Sequence, residues 1–179
     1  MMAARQSAAA DRGRTIRPRD AATLLIVRKS RRGAEILLGE RSAKHAFFAN
    51  NYVFPGGKVD RSDGYAPAAT PLRGHVADCL ERAATPHRAR AIAMAAIRET
   101  FEETGLIVGE AAPHLAARAP RDWAAFYATG RAPALDGLIY VLHAITPPGR
   151  PRRFNARFFA IDAERVHGGT TEGTGELLK

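Results

Sequence analysis

The stretch at residues 98–106, RETFEETGL, decides how the rest of the chain is interpreted. On a helix, residues three and four apart share a face, so Glu99, Glu102 and Glu103 direct three carboxylates into one volume. Like charges at this spacing destabilise a helix. Two interpretations stay open from these residues: a site for a hard divalent cation such as Mg²⁺ or Mn²⁺, which prefers oxygen ligands, or a solvated acidic face balanced by Arg98.

The acidic helix and an upstream turn together favour the cation site. The helix is predicted over 88–104, where apolar residues recur at helical spacing and Gly105 follows as a left-handed C-cap. Upstream, the segment 54–58, FPGGK, contains Gly56 and Gly57, which leave room for backbone groups to approach a metal or a phosphate. A Gly-Gly turn alone is usually only a turn, but beside an acidic helix it favours a functional site.

Length, charge and cysteine content restrict the class of protein. The 179 residues are enough for one domain with a real core, and the single cysteine, Cys79, excludes an internal disulfide. No apolar run approaches the length of a membrane helix, about 18 residues, and a reducing cytoplasm is the default location. The net charge of +9 is spread along the chain without a nucleic-acid motif, so a basic solvated surface or a site for anionic substrates is expected rather than nucleic acid.

Hydrophobic patterning predicts an alternation of strands and helices after a flexible basic tail over 1–20. A hairpin is expected at 22–29 and 34–41, and a short helix is expected around Val76, Cys79, Leu80 and Ala83. Further elements are predicted as a strand at 106–110, a short helix at 121–130, and extended runs at 135–145 and 153–162. The last ten residues read as a polar turn that leads into a further strand.

These residues resemble the signature of the Nudix hydrolases, G-x5-E-x7-R-E-U-x-E-E-x-G-U, where U is aliphatic. Its second half is met by Arg98, Glu99, Glu102, Glu103, Gly105 and Leu106, with Thr100 as the one departure. Its first half is interrupted, because 40 residues separate Gly57 from Arg98 where the signature leaves thirteen.

The interruption leaves the first acidic position of the signature open. Counting forward from Gly57 places Asp63 there, whereas counting back from Arg98 places Arg90 there. The resemblance implies an insertion of about 27 residues within the box, assigned to 58–88 inside a hydrolase domain that spans 21–179.

Insertion inside the box is similar to a branch of the family that includes coenzyme A diphosphatases. The segment LLGERSAKHAFFANNYVFPGG, residues 37–57, reproduces the spacing of that branch and keeps Arg41 and Ser42. Ala46 stands where the branch has a second arginine, and Asn50 stands where it has a glycine. The resemblance therefore implies coenzyme A or acyl-coenzyme A as substrate, with ADP-ribose, dinucleotides or capped nucleotides as alternatives.

The resemblance implies metal-dependent hydrolysis of a diphosphate bond by water. Glu99, Glu102, Glu103 and the Gly57 carbonyl are the expected ligands of Mg²⁺ or Mn²⁺. Glu99, Arg98 and Glu103 are the expected catalytic residues, with Glu99 as ligand or general base and Arg98 orienting the glutamates through its fork of donors.

Cations outside the acidic helix could contact the substrate. Arg41, Lys58 and Arg153 are the predicted substrate-binding residues, and Arg150, Arg152 and Arg157 accompany Arg153 in a basic cluster. A solvated basic loop is the alternative. Trp123 and Phe126 could stack on a base, although such a pair at helical spacing is more often core, and Glu172 or Glu176 could supply a further glutamate.

The implied architecture is an α/β/α sandwich with a mixed sheet. No amphipathic helix follows Ala163, so the sequence predicts that the final strand and helix of the sandwich are missing. Two explanations stay open: the sequence is a fragment or early-terminated product, or a partner chain, such as a second copy in a homodimer, covers the far face. A catalytically inactive domain that binds a nucleotide or a partner is the alternative to an enzyme.

Overall fold

The computed structural model describes residues 16–41, 52–168 and 177–178, with only the backbone described at 41, 177 and 178. Its centre is a mixed sheet in which β1 (Arg19–Ser30) is antiparallel to β2 (Gly33–Ile36) and parallel to β10 (Phe154–Asp162). Strand β10 is antiparallel to β9 (Ile139–Ile145), and β5 (Gly56–Lys58) pairs with the first half of β1. This mixed α/β architecture agrees with the predicted fold class.

The predicted hairpin is present, but its second half is divided. Val27 of β1 lies opposite Ile36 of β2, and the chain then leaves this pairing to form β3 (Gly39–Arg41). Strand β3 lies between β4 (Tyr52–Val53) and β12 (Leu177–Leu178), in a separate small sheet. The strand expected at the end of the sequence is therefore found at β12.

The acidic helix, α2 (Pro86–Thr104), packs its alanine-rich face on the central sheet. It begins two residues before the predicted start because Thr85 is its N-cap and Pro86 occupies its first turn, where a missing backbone N–H costs nothing. It ends at Gly105, which has φ 70° as predicted. Thr100, the departure from the family signature, is buried and donates its hydroxyl to the Ala96 carbonyl.

The inserted segment carries the short helix that the sequence predicts. This helix, α1 (Gly74–Glu81), buries Val76 and Leu80 against α2. Just before it, a 3-10 turn (Arg61–Gly64) follows β5 and places Asp63 in the interior. The start of the insertion therefore lies directly beside the acidic helix.

The remaining elements close the core on the side of α2. The predicted strand at 106–110 is two short strands, β6 (Leu106–Ile107) and β7 (Gly109–Ala111), because the buried Val108 separates pairing with β11 (His167–Gly168) from pairing with β8 (Arg131–Pro133). The short helix predicted at 121–130 is a 3-10 turn (Arg121–Trp123) that continues into α3 (Ala124–Tyr127). The other 3-10 turns are Pro113–Arg118 and Ala163–Arg165.

Two surface properties follow from this arrangement. Apolar side chains on β9 stay exposed, with Ile139 at 53% and Ile145 at 54% of their full accessibility. Within the described ranges, no helix combines the length and the apolar character needed to cross a bilayer.

Candidate active site

Arg98 is the centre of a buried charge network. Its Nε lies 2.8 Å from Oδ1 of Asp63, its second terminal nitrogen lies 3.2 Å from Oδ2 of Asp63, and the same nitrogen donates to the Lys58 carbonyl at 3.0 Å. Burial alone would lower the pKa of the Arg98 guanidinium, but the hydrogen bonds and charge of Asp63 outweigh burial and raise the pKa. The guanidinium is therefore a fixed positive charge inside the protein.

Asp63 occupies the first acidic position of the interrupted signature. Its carboxylate is fully buried and is shared by Arg98, the Trp123 indole and the backbone N–H of Asp60. Arg90, the other candidate for this position, instead donates to the carbonyls of Asp63, Gly64 and Ala66. Of the two candidates, Asp63 is therefore the one whose carboxylate contacts Arg98, and Arg90 contacts backbone carbonyls instead.

Glu99 faces the Gly-Gly turn across the cleft between α2 and β5. A Cβ added to Gly57 would come within 2.6 Å of the Glu99 carboxylate oxygens, so the absent side chain makes the approach possible. Burial raises the pKa of the Glu99 carboxyl; Arg98 opposes that rise, while Glu102 and Asp60 add to it. Glu99 is therefore a carboxyl group whose charged form is disfavoured mainly by burial, even with Arg98 3.0 Å away.

The other two carboxylates of the acidic helix also have defined partners. Glu103 is buried and accepts the Gly56 N–H at 3.0 Å, while the half-exposed Glu102 lies 3.1 Å from a terminal nitrogen of Arg98. The same arginine nitrogen is 3.0 Å from Glu99. In the described part of the chain, no three acidic, histidine or cysteine side chains converge in an arrangement ready for a metal ion.

A cavity of about 830 Å³ joins the acidic helix to the basic cluster. Glu99, Glu103, Gly57 and Lys58 line this cavity together with three arginines. The arginines that line it are Arg19, Arg152 and Arg153. A cavity lined by both carboxylates and cations suits a ligand that carries phosphates and a divalent cation together.

The predicted substrate-binding cations differ in availability. Arg153 lines the cavity but donates to the carbonyls of Thr146 and Ile16, at 3.0 and 2.8 Å, so it also braces the sheet edge. The Lys58 side chain is exposed on the same cavity. Arg157 is excluded as a phosphate ligand because it is buried and 3.0 Å from Asp20.

Several predicted residues cannot be placed in this site. The Arg41 backbone lies at the end of β3, but its side chain is not among the described groups. Four further residues lie outside the described ranges: Ala46, Asn50, Glu172 and Glu176. Trp123 and Phe126 are both core residues, so neither stacks on a base. The contact of Trp123 with Asp63 was not predicted, and no local pattern in the sequence signals it.

Solved structures of Nudix hydrolases and a MutT/nudix family protein align with this chain. A Nudix hydrolase from Alicyclobacillus acidocaldarius aligns with a TM-score of 0.66 and 27% identity, over 90% of this chain and 76% of that chain. A MutT/nudix family protein from Enterococcus faecalis aligns with a TM-score of 0.48 and 14% identity, over 90% of this chain and 42% of that chain. RenU, a Nudix hydrolase from M. smegmatis, aligns with a TM-score of 0.36 and 17% identity, over 81% of this chain and 58% of that chain.

No protein-family model and no curated protein matches the chain. The fold and the signature residues of β5 and α2 nevertheless make the chain similar to the Nudix hydrolases, and this similarity supports an enzyme of that kind.

Proposed function

We propose that the protein hydrolyses a diphosphate bond in a nucleoside diphosphate linked to another group, with Mg²⁺ or Mn²⁺ as cofactor. The observation that carries this proposal is the cavity that Glu99 and Glu103 line together with Arg152 and Arg153. Hydrolysis of a diphosphate requires neutralised phosphate oxygens and a positioned water, and such a cavity can provide both together with a cation.

The residues of the site fit a hard divalent cation. The donor set consists of carboxylate oxygens and a backbone carbonyl, which are the ligands that Mg²⁺ and Mn²⁺ prefer. Burial raises the pKa of Glu99, and the absence of a side chain at Gly57 lets the Glu99 carboxylate lie close to the β5 backbone. Glu99, Glu102, Glu103 and the Gly57 carbonyl would hold the cation, which supplies charge neutralisation and an acidified water.

The side chains around the cation site have separate proposed roles. Arg98, held by Asp63, keeps its other terminal nitrogen beside Glu99 and Glu102 and so restricts where their carboxylates can turn. A deprotonated Glu99 would accept the proton of the attacking water. Arg153 and Lys58, which line the cavity, would bind substrate phosphates, and Arg41 is the third predicted substrate contact.

Coenzyme A or acyl-coenzyme A is the proposed substrate. The resemblance of residues 37–57 to the coenzyme A branch supports this substrate. The positive charges of Arg152 and Arg153, which line the cavity, also support it. ADP-ribose, a dinucleotide or a capped nucleotide is the alternative, favoured by the loss of arginine at Ala46. An inactive nucleotide-binding domain is the alternative to catalysis. The cytoplasm is the proposed location, on the basis of the single Cys79.

A hydrolysis panel tests both the proposed diphosphatase activity and the proposed substrate. Coenzyme A, acyl-coenzyme A, ADP-ribose, dinucleotides and capped nucleotides are incubated with the full chain and Mg²⁺ or Mn²⁺. We expect coenzyme A cleavage, and we expect Glu102→Gln to slow it by more than about 100-fold because a ligand is lost. Glu81→Gln, at the exposed end of α1, is the matched control.

Each outcome has a separate meaning. If no compound is cleaved, the proposed activity fails. If Glu102→Gln retains the wild-type rate, the metal site is wrong. Turnover of ADP-ribose without turnover of coenzyme A would overturn only the substrate assignment.

A further inference from the structure

A buried indole shares one carboxylate oxygen with the central arginine of the site. Oδ1 of Asp63 accepts Nε1 of Trp123 at 3.2 Å and Nε of Arg98 at 2.8 Å. We propose that Trp123 is a positioning residue that fixes Arg98 through Asp63. This inference rests on the proposed function, because Arg98 orients the glutamates of that site.

The hydrogen bonds of Asp63 show what the indole adds. Oδ2 of its carboxylate is held from two sides, by the Asp60 N–H at 2.8 Å and by a terminal nitrogen of Arg98 at 3.2 Å. Oδ1 receives Arg98 on one side, and Trp123 supplies the second donor. Without the indole N–H, the carboxylate would keep both oxygens on Arg98 but lose the donor that opposes the arginine. Rotation of its plane together with the guanidinium would then be opposed only by the Asp60 N–H on Oδ2.

The protein core holds the indole in place. Trp123 is fully buried and packs edge-on against Phe126 and Tyr127, with ring centroids 5.5 and 6.1 Å away. Both aromatic partners belong to α3, which follows directly after Trp123. The indole is thus a rigid donor, and rigidity is the property that a positioning contact requires.

Arg98 carries the effect from Asp63 to the catalytic carboxylates. The nitrogen that does not face Asp63 lies 3.0 Å from Glu99 and 3.1 Å from Glu102. Because the guanidinium is planar, rotation at the Asp63 side displaces this nitrogen at the glutamate side. Trp123 does not line the cavity, so it acts through this connection and not on the substrate.

The kinetic test replaces the indole while keeping an aromatic ring. We expect Trp123→Phe to lower kcat by about 10-fold and to leave KM within about twofold, the range of an outer-shell contact that orients ligands. Tyr127→Phe is the matched control: Tyr127 packs against Trp123, and its hydroxyl binds the Pro67 carbonyl instead of Asp63. If the two variants change kcat equally, the proposal is overturned.

A spectroscopic test does not depend on activity. Trp123 is the only tryptophan in the sequence, so ¹H–¹⁵N spectra of the full chain contain one indole resonance. We expect Arg98→Lys to move this resonance, because Asp63 loses its bidentate partner. Arg88→Lys is the control, since Arg88 is exposed on the same helix and pairs with Asp20.

The two tests separate this inference from the proposed function. Mg²⁺ is expected to move the indole resonance of the wild type, because Glu99 and Glu102 contact Arg98. If the wild type cleaves nothing, the activity fails while the Arg98→Lys spectrum still decides the connection from Trp123 through Asp63 to Arg98, and an unmoved indole resonance in that variant overturns it. If Trp123→Phe does not fold, the Arg98→Lys spectrum decides, and a wild-type resonance position there overturns the proposal.

Discussion

Arg98 and Asp63 form an ion pair in which both side chains are at least 95% buried. Removing water from two charges is costly, and the pair is stable only because additional hydrogen bonds satisfy the remaining atoms of each group. Here the Lys58 carbonyl, the Asp60 N–H and the Trp123 indole supply those hydrogen bonds. The pair is therefore sensitive to the loss of either member.

The first residue-scale prediction concerns Asp63. We expect Asp63→Ala to lower the free energy of unfolding by about 3–5 kcal/mol, because it leaves the Arg98 charge buried without its main partner. Urea denaturation measures the change. Asp78→Ala, an exposed site on α1, is the control and should stay within about 0.5 kcal/mol of the wild type. A loss at Asp63 as small as that of the control would contradict the prediction.

A second residue-scale prediction concerns Glu99 and pH in metal-free protein. Burial raises its pKa above the ordinary 4.5, so the folded protein retains the proton to higher pH than the unfolded chain. Stability linked to Glu99 is therefore greatest below pH 4.5 and falls as the pH rises towards the folded pKa. We expect the melting temperature of Glu99→Gln to rise relative to the wild type over this interval. Thermal unfolding in EDTA at a series of pH values measures it.

Glu81→Gln provides the comparison for Glu99→Gln, because Glu81 is an exposed glutamate on α1. Its difference from the wild type should not follow the same course with pH. A difference between Glu99→Gln and the wild type that is constant across the series would show that the buried carboxyl is not responsible.

At the scale of elements, strand β5 and helix α2 define the catalytic cleft by how closely they approach. Gly56 donates its N–H to Glu103, and Gly57 lies directly under the Glu99 carboxylate. Strand β5 is itself fixed by its pairing with β1, where Gly57 lies opposite Ala22. The distance between turn and helix is thus set by the central sheet.

Gly57→Ala tests this close approach. The added methyl group would overlap the Glu99 carboxylate, so we expect kcat to fall by about 10-fold or more as Glu99 is displaced. Steady-state hydrolysis and thermal unfolding are measured together. Gly74→Ala is the control, because a Cβ at Gly74 meets no atom within 4 Å. Equal kinetics for the two variants would argue against a functional approach of β5 to Glu99.

At the scale of the whole molecule, cation binding is expected to stabilise the fold. A ligand that binds only the native state at 100 times its Kd adds about 2.7 kcal/mol to the free energy of unfolding. We therefore expect Mg²⁺ to raise the melting temperature of the wild type over its value in EDTA. Glu103→Gln should lose most of this increase, whereas Glu81→Gln should keep it. A wild type that melts at the same temperature with and without Mg²⁺ would contradict the metal site.

The exposed apolar side chains of β9 give the molecule a surface that favours association. They include Ile139, Val141, Leu142 and Ile145. The homodimer expected from the sequence stays a prediction, and sedimentation velocity at two protein concentrations tests it. A single monomeric species at both concentrations would contradict it.

The sequence by itself determined the acidic helix, its Gly105 C-cap, the Gly-Gly turn and the resemblance to the Nudix hydrolases. Helical spacing and glycine conformation are local properties that one chain segment displays alone. The same locality explains the short helix in the insertion, where Val76 and Leu80 follow helical spacing.

Only the tertiary structure decided how the interrupted signature is completed. The sequence left Asp63 and Arg90 as equal candidates, because counting residues cannot show which side of the cleft an inserted segment joins. The fold buries Asp63 against Arg98, turns Arg90 towards backbone carbonyls, and brings Trp123 to the same carboxylate from 60 residues away. These contacts depend on the packing of distant elements around one buried charge, which no local pattern encodes.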